Sequence, residues 1–559
     1  MAFEENKALF GHDDTERIVA VESDGESTFQ ILSHGAGGVV ESRRAVFKPF
    51  FWSDTEITGA SNRQLDGDLP LRFLVESDTW SEFSKLRAAT RGSGVKTFML
   101  GDPVQQFLLA SGMTLFKGME FADLRRLQLA LDGSVLTVAD ATGWEEVIEH
   151  DVAKRLTQII RERDPDVIEG HDLFKKILPA LNARAKNSKV QLAWGRDESV
   201  IESRASRIQV AEKTINYPKF EVHGRHFVDT FLLAQFYDVS SRALESFELA
   251  DVAAQCHCAG KTPAAQTREL ATMLSASYFV QAKIFPYNYQ DVVVRGNATK
   301  IDALLLREYF RRGHSIPDLP ESRAFEGGYT DIFFTGVARN VWHCDVASLY
   351  PSVMLRFDCF PAQDRLQIFR GLLTDLRKFR LEAKSAMRGA AAGNERSGFN
   401  ALQTTFKILI NSFYGYLGFA QAHFADFDAA ARVTQIGRDL LKQMVARLQE
   451  LGAQVIEIDT DGIYFVPPDG PLDQLQRGLE GVLPSGIEIE FDEHYDAMFS
   501  YKAKNYALLA GDELTLRGGA LKSRGLEKFQ RAFLEQMIRL LMSEKPDEIE
   551  KLRADFESK

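Results

Sequence analysis

Val341-Trp-His-Cys-Asp345-Val346-Ala347-Ser348-Leu349-Tyr350-Pro351-Ser352 is an apolar run that delivers an aspartate to its end and then turns toward a helix. Val455-Ile-Glu-Ile-Asp459-Thr460-Asp461-Gly462 repeats the arrangement, with Asp461-Gly462 at the bend of an alternating hairpin over residues 454–467. An aspartate at the end of an apolar strand is costly to desolvate unless it meets a cation. If the two strands are neighbours, Asp345 and Asp461 face each other across a small gap. Carboxylates and water are the ligands Mg²⁺ takes beside substrate phosphates. Two such ions can activate an attacking oxygen and neutralise a leaving phosphate. Taken singly, each segment reads more simply as turn and helix-cap aspartates.

Between these segments the pattern gives a helical hairpin: one helix over 369–388, a Gly/Ala/Ser-rich turn over 389–398, and a second helix over 399–413. Arg380 and Lys384 stand four apart on one face, and Lys407 lies on the facing helix. Residues 365–407 hold nine Lys and Arg against three acids, in a chain of net charge −12. Taken alone, these cations read more simply as a solvated basic face; the local excess also suits an incoming polyphosphate. Lys502, Lys504 and Tyr506 alternate along what reads as one strand, so all three share a face. That face suits nucleic-acid phosphates without sequence preference. Residues 501–531 carry seven basic and three acidic side chains, so this strip escapes the global negative charge.

A length of 559 residues predicts three to five domains, and 45% hydrophobic with 26% charged residues excludes wholesale disorder and a fibrous class. Short alternating runs over 17–22 and 28–32 make residues 1–107 a β-rich domain. Gly35-Ala-Gly-Gly38 has no Gly-Lys-Ser/Thr after it and reads as a hairpin turn, not a phosphate loop. Over 108–277 strands alternate with helices: two strands within 114–131, an amphipathic helix over 144–163 and a buried strand over 167–170. Residues 278–364 and 419–525 flank the helical hairpin (365–418), and helix-forming sequence fills 526–559. Four cysteines make no disulfide framework, and Cys256-His257-Cys258 lacks a second Cys/His pair, so it reads as a loop. With neither a basic-then-apolar leader nor a run of 18 apolar residues, the chain reads as soluble, reduced and cytoplasmic, with no membrane partner.

Six of these segments, in order, resemble the motifs of family B DNA polymerases of the bacterial and archaeal type. Phe325-Glu-Gly327-Gly328-Tyr329 resembles the linker before the palm, and Asp345-Val-Ala-Ser-Leu-Tyr-Pro-Ser352 the first polymerase motif. Arg380-Leu-Glu-Ala-Lys384 resembles the fingers helix, and Lys407-Ile-Leu-Ile-Asn411-Ser412-Phe-Tyr414-Gly415 the second motif. Asp459-Thr460-Asp461-Gly462 resembles the third, and Lys502-Ala-Lys504-Asn-Tyr506 the basic motif beyond it. The resemblance implies a multidomain α/β and α+β fold. Its parts are a β-rich N-terminal domain, a ribonuclease-H-like exonuclease-type domain, a right-hand palm of antiparallel sheet and helices, helical-hairpin fingers, and a short or truncated thumb.

The resemblance also implies roles. Asp345, Asp459 and Asp461 are catalytic, and Asp345, Val346 and Asp461 hold two Mg²⁺ ions, for which Mn²⁺ substitutes. Ser348, Leu349, Tyr350, Arg380, Lys384, Lys407, Asn411 and Tyr414 bind the deoxynucleoside triphosphate, with Tyr350 beneath the sugar where a 2′-hydroxyl would collide. Gly327, Gly328, Tyr329, Lys502, Lys504 and Tyr506 bind primer–template DNA. The setting is a prokaryotic cytoplasm, on the nucleoid, with a sliding clamp as a further partner. No proline-rich or apolar docking tail stands among the residues after Arg531.

Two departures follow. The family's 3′–5′ exonuclease needs four carboxylates, but Ala130 in Leu127-Gln-Leu-Ala130-Leu-Asp132 stands where the first acid belongs. Ile177 in His171-Asp172-Leu-Phe-Lys-Lys-Ile177 stands at another, and no acid occurs between Asp251 and Glu269, where the third motif should lie. Proofreading is therefore expected to be lost, which disfavours a nuclease. The 28 residues after Arg531 are also far short of a family thumb. The alternative is a catalytically silent, polymerase-like DNA-binding scaffold; the intact acids at 345, 459 and 461 weigh against it.

Overall fold

The structure is a computed structural model that describes residues 2–211, 213–241, 244, 246–391, 393–522, 525–543 and 545–558. The chain divides into two compact units, Met1–Pro320 with Gln363–Ala425, and Glu321–Ala362 with Asp426–Lys559.

The first unit opens with the alternating runs expected of a β-rich start. Ile18–Ser23, Thr28–His34 and Val40–Val46 form an antiparallel three-stranded sheet. Gly37 and Gly38 lie in its second turn at φ 75° and 81°, a region open to glycine without strain. A five-stranded sheet follows, in the order Glu145–Ile148, Val135–Asp140, Arg126–Asp132, Val167–Gly170, His226–Asp229. Its last three strands run parallel and bury Leu127, Leu129, Ile168 and Phe227 against the helix Val152–Arg163 and its neighbours. Parallel strands with helices on their faces produce this continuous apolar character.

Two expectations are corrected here. Residues 114–131 contain one strand, not two: Arg126–Asp132 pairs with Val135–Asp140, and Phe121–Asp123 is a single 3₁₀ turn closed by reciprocal Glu120 and Asp123 caps. The helix expected over 144–163 begins only at Val152, because Glu145–Ile148 pairs with Val135–Asp140 as an edge strand. Four residues are too few to separate a period of two from the helical period that follows.

The helical hairpin of the first unit comprises Ile368–Gly389 and Asn394–Leu417. Its second helix starts before residue 399 because Asn394-Glu-Arg-Ser-Gly398 forms its first turn, with the acidic Glu395 near the N-terminus. Leu372, Leu376, Phe406 and Ile410 are buried, and Phe369 meets Phe413 with ring centroids 4.7 Å apart.

The second unit is built on seven strands in the order Tyr329–Ile332, Gln454–Thr460, Gly462–Val466, Gly336–Val346, Ile489–Lys502, Asn505–Ala510, Glu513–Arg517. Every neighbouring pair is antiparallel. The helix Phe427–Glu450 is capped by Asp426, whose side chain accepts from the Asp428 and Ala429 N–H groups. The tract expected to be helical over 526–559 is two helices, Lys528–Met542 and Ile549–Glu557; Pro546, which lacks an N–H, falls in the break. Ile538 and Met542 pack the first of these onto Ala497 and Ala507 of the sheet. Among the described residues no helix is long and apolar enough to cross a membrane.

Candidate active site

The strands carrying the two sequence-marked aspartates are hydrogen-bonded neighbours. Asp345 stands opposite Gly462, and the Val346 N–H donates to the Asp461 carbonyl at 3.2 Å. Across the hairpin bend Asp459 also pairs with Gly462. Thr460 takes φ 70° at this bend, an unusual conformation for a β-branched residue. Gly462 is required by packing, since a Cβ there would sit 2.1 Å from His343 Nε2. Three carboxylates thus leave adjacent strand ends. Burial first, and then the Asp459 charge, push the Asp461 carboxyl above its ordinary range.

Among the described residues no three His, Cys, Asp or Glu side chains form a ready-made metal cage. A Mg²⁺ held by one or two carboxylates, with phosphate and water completing its shell, does not need one. The raised Asp461 marks a crowded acidic end that a divalent ion would relieve, so the donor set fits. Asp345, Asp461 and the Val346 carbonyl are the groups able to hold it.

Lys502, Lys504 and Tyr506 do not share one strand, which corrects the sequence reading. Lys502 ends Ile489–Lys502 and pairs with Asn505, Ala503 and Lys504 form a tight turn with Lys504 at φ 62°, and Tyr506 lies on the returning strand. The turn's two central residues, Ala503 and Lys504, are neither Gly, Pro nor Asn, so the alternation reads straight through them. Lys504 and Tyr506 instead converge on Asp459. The Tyr506 hydroxyl donates to Oδ2 at 3.1 Å, and Lys504 Nζ lies 3.6 Å from Oδ1 and 3.2 Å from Thr460 Oγ1. Lys502 is exposed.

Ser348, at φ 50°, precedes the helix Leu349–Arg356, on which Leu349 is buried and Tyr350 half-buried. A Cβ on Gly328 would lie 2.4 Å from the Tyr350 hydroxyl, and one on Gly437 3.3 Å from its ring, so both glycines make room for it. The Gly327-Gly328-Tyr329 segment is held by Arg438, which donates to the Glu326 and Gly327 carbonyls at 3.0 and 2.6 Å. Tyr329 donates to Asp331 at 3.0 Å.

In the first unit, Arg380 and Lys384 are half-buried on Ile368–Gly389. Lys407 and Asn411, one turn apart on Asn394–Leu417, are exposed and line a groove of about 1990 Å³ shared with Thr272 and Ser277 of the helix Pro263–Ala282. Tyr414 is half-buried, and nothing lies within 4 Å of the missing Gly415 Cβ.

The positions expected to have lost nuclease acids converge in the same unit. Ala130, Asp172, Ile177, Pro263 and Thr267 line one pocket of about 180 Å³. The Thr267 hydroxyl donates within its own helix to the Pro263 carbonyl at 2.8 Å. Asp172 is bridged by Lys176 at 2.8 Å, a more direct neutralisation than proximity in sequence implies. Asp132 is exposed and is not among the pocket's walls.

Sequence reasoning missed three acids near these two sites. Glu490 is the cross-strand partner of Asp345, and Glu457 is buried two residues before Asp459. Asp229, beside the pocket, accepts from the Phe174 and Phe231 N–H groups and is pushed up to about 7 by burial. Ile487-Glu-Ile-Glu-Phe491 does alternate like a strand, but only its register places Glu490.

Residues 358–463 match the sequence description of DNA polymerase family B. The DNA polymerase of Archaeoglobus fulgidus is 26% identical over 449 residues, 73% of this chain and 56% of its own. DNA polymerase 1 of Pyrococcus abyssi is 26% identical over 437 residues, 69% of this chain and 56% of its own. The chain therefore spans about half the length of these curated relatives. The solved family B DNA polymerase of the hyperthermophilic archaeon Pyrobaculum calidifontis shares the fold: TM-score 0.74 at 20% identity, covering 96% of this chain and 85% of that one. In sequence motifs and fold together, this chain is similar to the DNA polymerases of family B.

Proposed function

We propose that this chain is a template-directed DNA polymerase that extends a primer 3′ end and lacks 3′–5′ proofreading. The observation that carries the reading is the meeting of Asp345, Asp459 and Asp461 at adjacent strand ends. In contrast, Ala130, Ile177 and Thr267 wall the pocket of the α/β sheet. Two Mg²⁺ ions, or Mn²⁺ in their place, supply activation of the attacking oxygen and neutralisation of the leaving pyrophosphate when bound. Asp345 and Asp461, with the Val346 carbonyl, would hold them, and Asp459 would assist. The primer 3′ oxygen bonds to the α-phosphorus of the incoming nucleotide as the bond to the β-phosphate oxygen breaks.

Arg380, Lys384 and Lys407 receive the triphosphate, whose charge the acids alone would repel. Ser348 and Leu349 contact it at the start of their helix, and Asn411 and Tyr414 face the nascent base pair. Tyr350, steadied between two glycine surfaces, lies under the sugar and rejects a 2′-hydroxyl. Gly327, Gly328, Tyr329, Lys502, Lys504 and Tyr506 grip the primer–template. In domain terms, residues 1–107 are an N-terminal β-rich domain and 108–277 an inactive exonuclease-like domain. Residues 278–364 and 419–525 are the palm, 365–418 the fingers and 526–559 the start of a thumb. The setting is a prokaryotic nucleoid, with a sliding clamp as a further partner.

Primer extension with Mg²⁺ and four deoxynucleotides tests this. Stepwise lengthening set by the template sequence is expected. A chain that binds primer–template but never lengthens it is instead the silent scaffold.

A further inference from the structure

Glu457 is fully buried between Ile456 and Ile458, an expensive place for a carboxylate. Among the described residues its strand neighbours in the sheet are Tyr329–Ile332 and Gly462–Val466, so no ladder ties it to the hairpin of Ile489–Lys502 and Asn505–Ala510. The Glu457 side chain makes that tie. Oε2 accepts the Ser500 hydroxyl at 2.9 Å, and Oε1 accepts the Lys504 backbone N–H at 2.5 Å. One oxygen therefore holds the hairpin's outgoing strand and the other its turn, in which Lys504 adopts φ 62° and brings its ammonium to Asp459 and Thr460. Asp459 is engaged on its other oxygen by Tyr506, whose hydroxyl lies 3.3 Å from that of Tyr464.

We propose that Glu457 is a positioning residue. It pins the turn that holds the Lys504 ammonium on Asp459, where that ammonium stands in for a divalent cation and opposes its tight binding. This deepens, and rests on, the reading of Asp459 as part of an ion-binding acidic end. A fixed cation near a carboxylate lowers the affinity of the site for a second cation, and a loosened one does so less. The bond to its backbone N–H fixes the base of the Lys504 side chain, so its ammonium spends more time near Asp459 than it would on a loose turn. With Glu457 removed, the turn keeps its ladder bond but loses both anchors.

The test is Mn²⁺ binding to the full chain without DNA, followed by the electron paramagnetic resonance of free Mn²⁺. Lys504→Met is expected to bind Mn²⁺ about fivefold to tenfold tighter than the parent, and Glu457→Ala about threefold tighter. The double variant matches Lys504→Met alone, because Glu457 acts through Lys504. Glu457→Gln binds as the parent does, since its amide oxygen can accept the Lys504 N–H while its NH₂ donates to the Ser500 oxygen. If Glu457→Ala does not fold, Ser500→Ala, which removes one anchor, replaces it with a gain in the same direction. Asp461→Ala abolishes the binding and so identifies the site. Unchanged affinity in Lys504→Met, a gain from Glu457→Ala that adds to that of Lys504→Met, or no Mn²⁺ binding in any variant overturns the proposal. Because the readout is not extension, a chain that binds Mn²⁺ as described yet never extends a primer refutes the polymerase reading alone.

Discussion

At the acidic end of the seven-stranded sheet, burial and the Asp459 charge hold Asp461 above the ordinary carboxylate range, against the opposing pull of His343 and Lys504, and the Lys504 ammonium lies 3.6 Å from Asp459. In the five-stranded sheet, Ala130 and Ile177 stand where acids were expected, and the remaining Asp172 carries its own counterion, Lys176, at 2.8 Å. The first arrangement crowds three carboxylates whose mutual repulsion a divalent ion can reduce; in the second, Asp172 is ion-paired and Asp229 is buried on backbone N–H groups. Two strand ends of similar outline thus differ in the one property a two-metal reaction requires. Crowding of three carboxylates at one strand end, rather than burial of a single acid, is what sets the first end apart.

The largest effect should come from breaking the charged end. Asp345→Ala or Asp461→Ala should cost at least about 10³-fold in primer extension with little change in DNA affinity, because positioning and charge neutralisation dominate phosphoryl transfer. Retained extension would contradict the assignment.

At Lys300 burial acts on a group of the opposite sign. It is fully buried in the first unit, its ammonium meeting the Gln281 amide oxygen at 2.7 Å, with Arg295 as the nearby charge. Burial, and then Arg295, lower it from 10.5 to about 7. The unfolded chain therefore holds this proton up to pH 10.5 while the folded chain releases it near 7, so stability rises across that window and is lowest below it. The rise should be on the order of 4 kcal/mol. Lys300→Met should flatten it in denaturant melts taken between pH 6 and about pH 10; an unchanged slope would show that Lys300 is not the group responsible.

A smaller effect is expected at the sugar. Tyr350→Ala should raise ribonucleotide use at least about tenfold relative to deoxynucleotides while Mg²⁺ dependence persists. Unchanged discrimination would make Tyr350 a packing residue. Smallest of all, Lys176→Met should lower the stability of the pocket by less than about 1 kcal/mol, since the lysine is largely exposed, and should create no nuclease activity. Cleavage by that variant would erase the contrast between the two sheets.

Much of this contrast was legible in the residues. Apolar runs ending in Asp345 and Asp459 announced two strand ends, and Gly462 marked the bend that joins the second strand to its partner. The helical hairpin was visible because twenty residues of period 3.6 outweigh any local ambiguity. What failed was short or non-local. Glu145–Ile148 was too brief to separate from the helix after it. The Ala503-Lys504 turn has no turn residue, so Lys504 and Tyr506 were placed along one strand when they meet at Asp459 across a reversal. Glu457 and Glu490 became visible only once register set their partners, since nothing in a single strand says which neighbour its acid will reach.

One gel tests the contrast most directly. An end-labelled primer with a mismatched 3′ end and a matched control are annealed to template and incubated with Mg²⁺, with and without deoxynucleotides. The matched primer should lengthen only with nucleotides, and the mismatched one should be extended or stall, never shorten. Shortening without nucleotides that survives Asp345→Ala but disappears with Asp132→Ala would show a working nuclease in the five-stranded sheet and contradict the division of labour argued from the two strand ends.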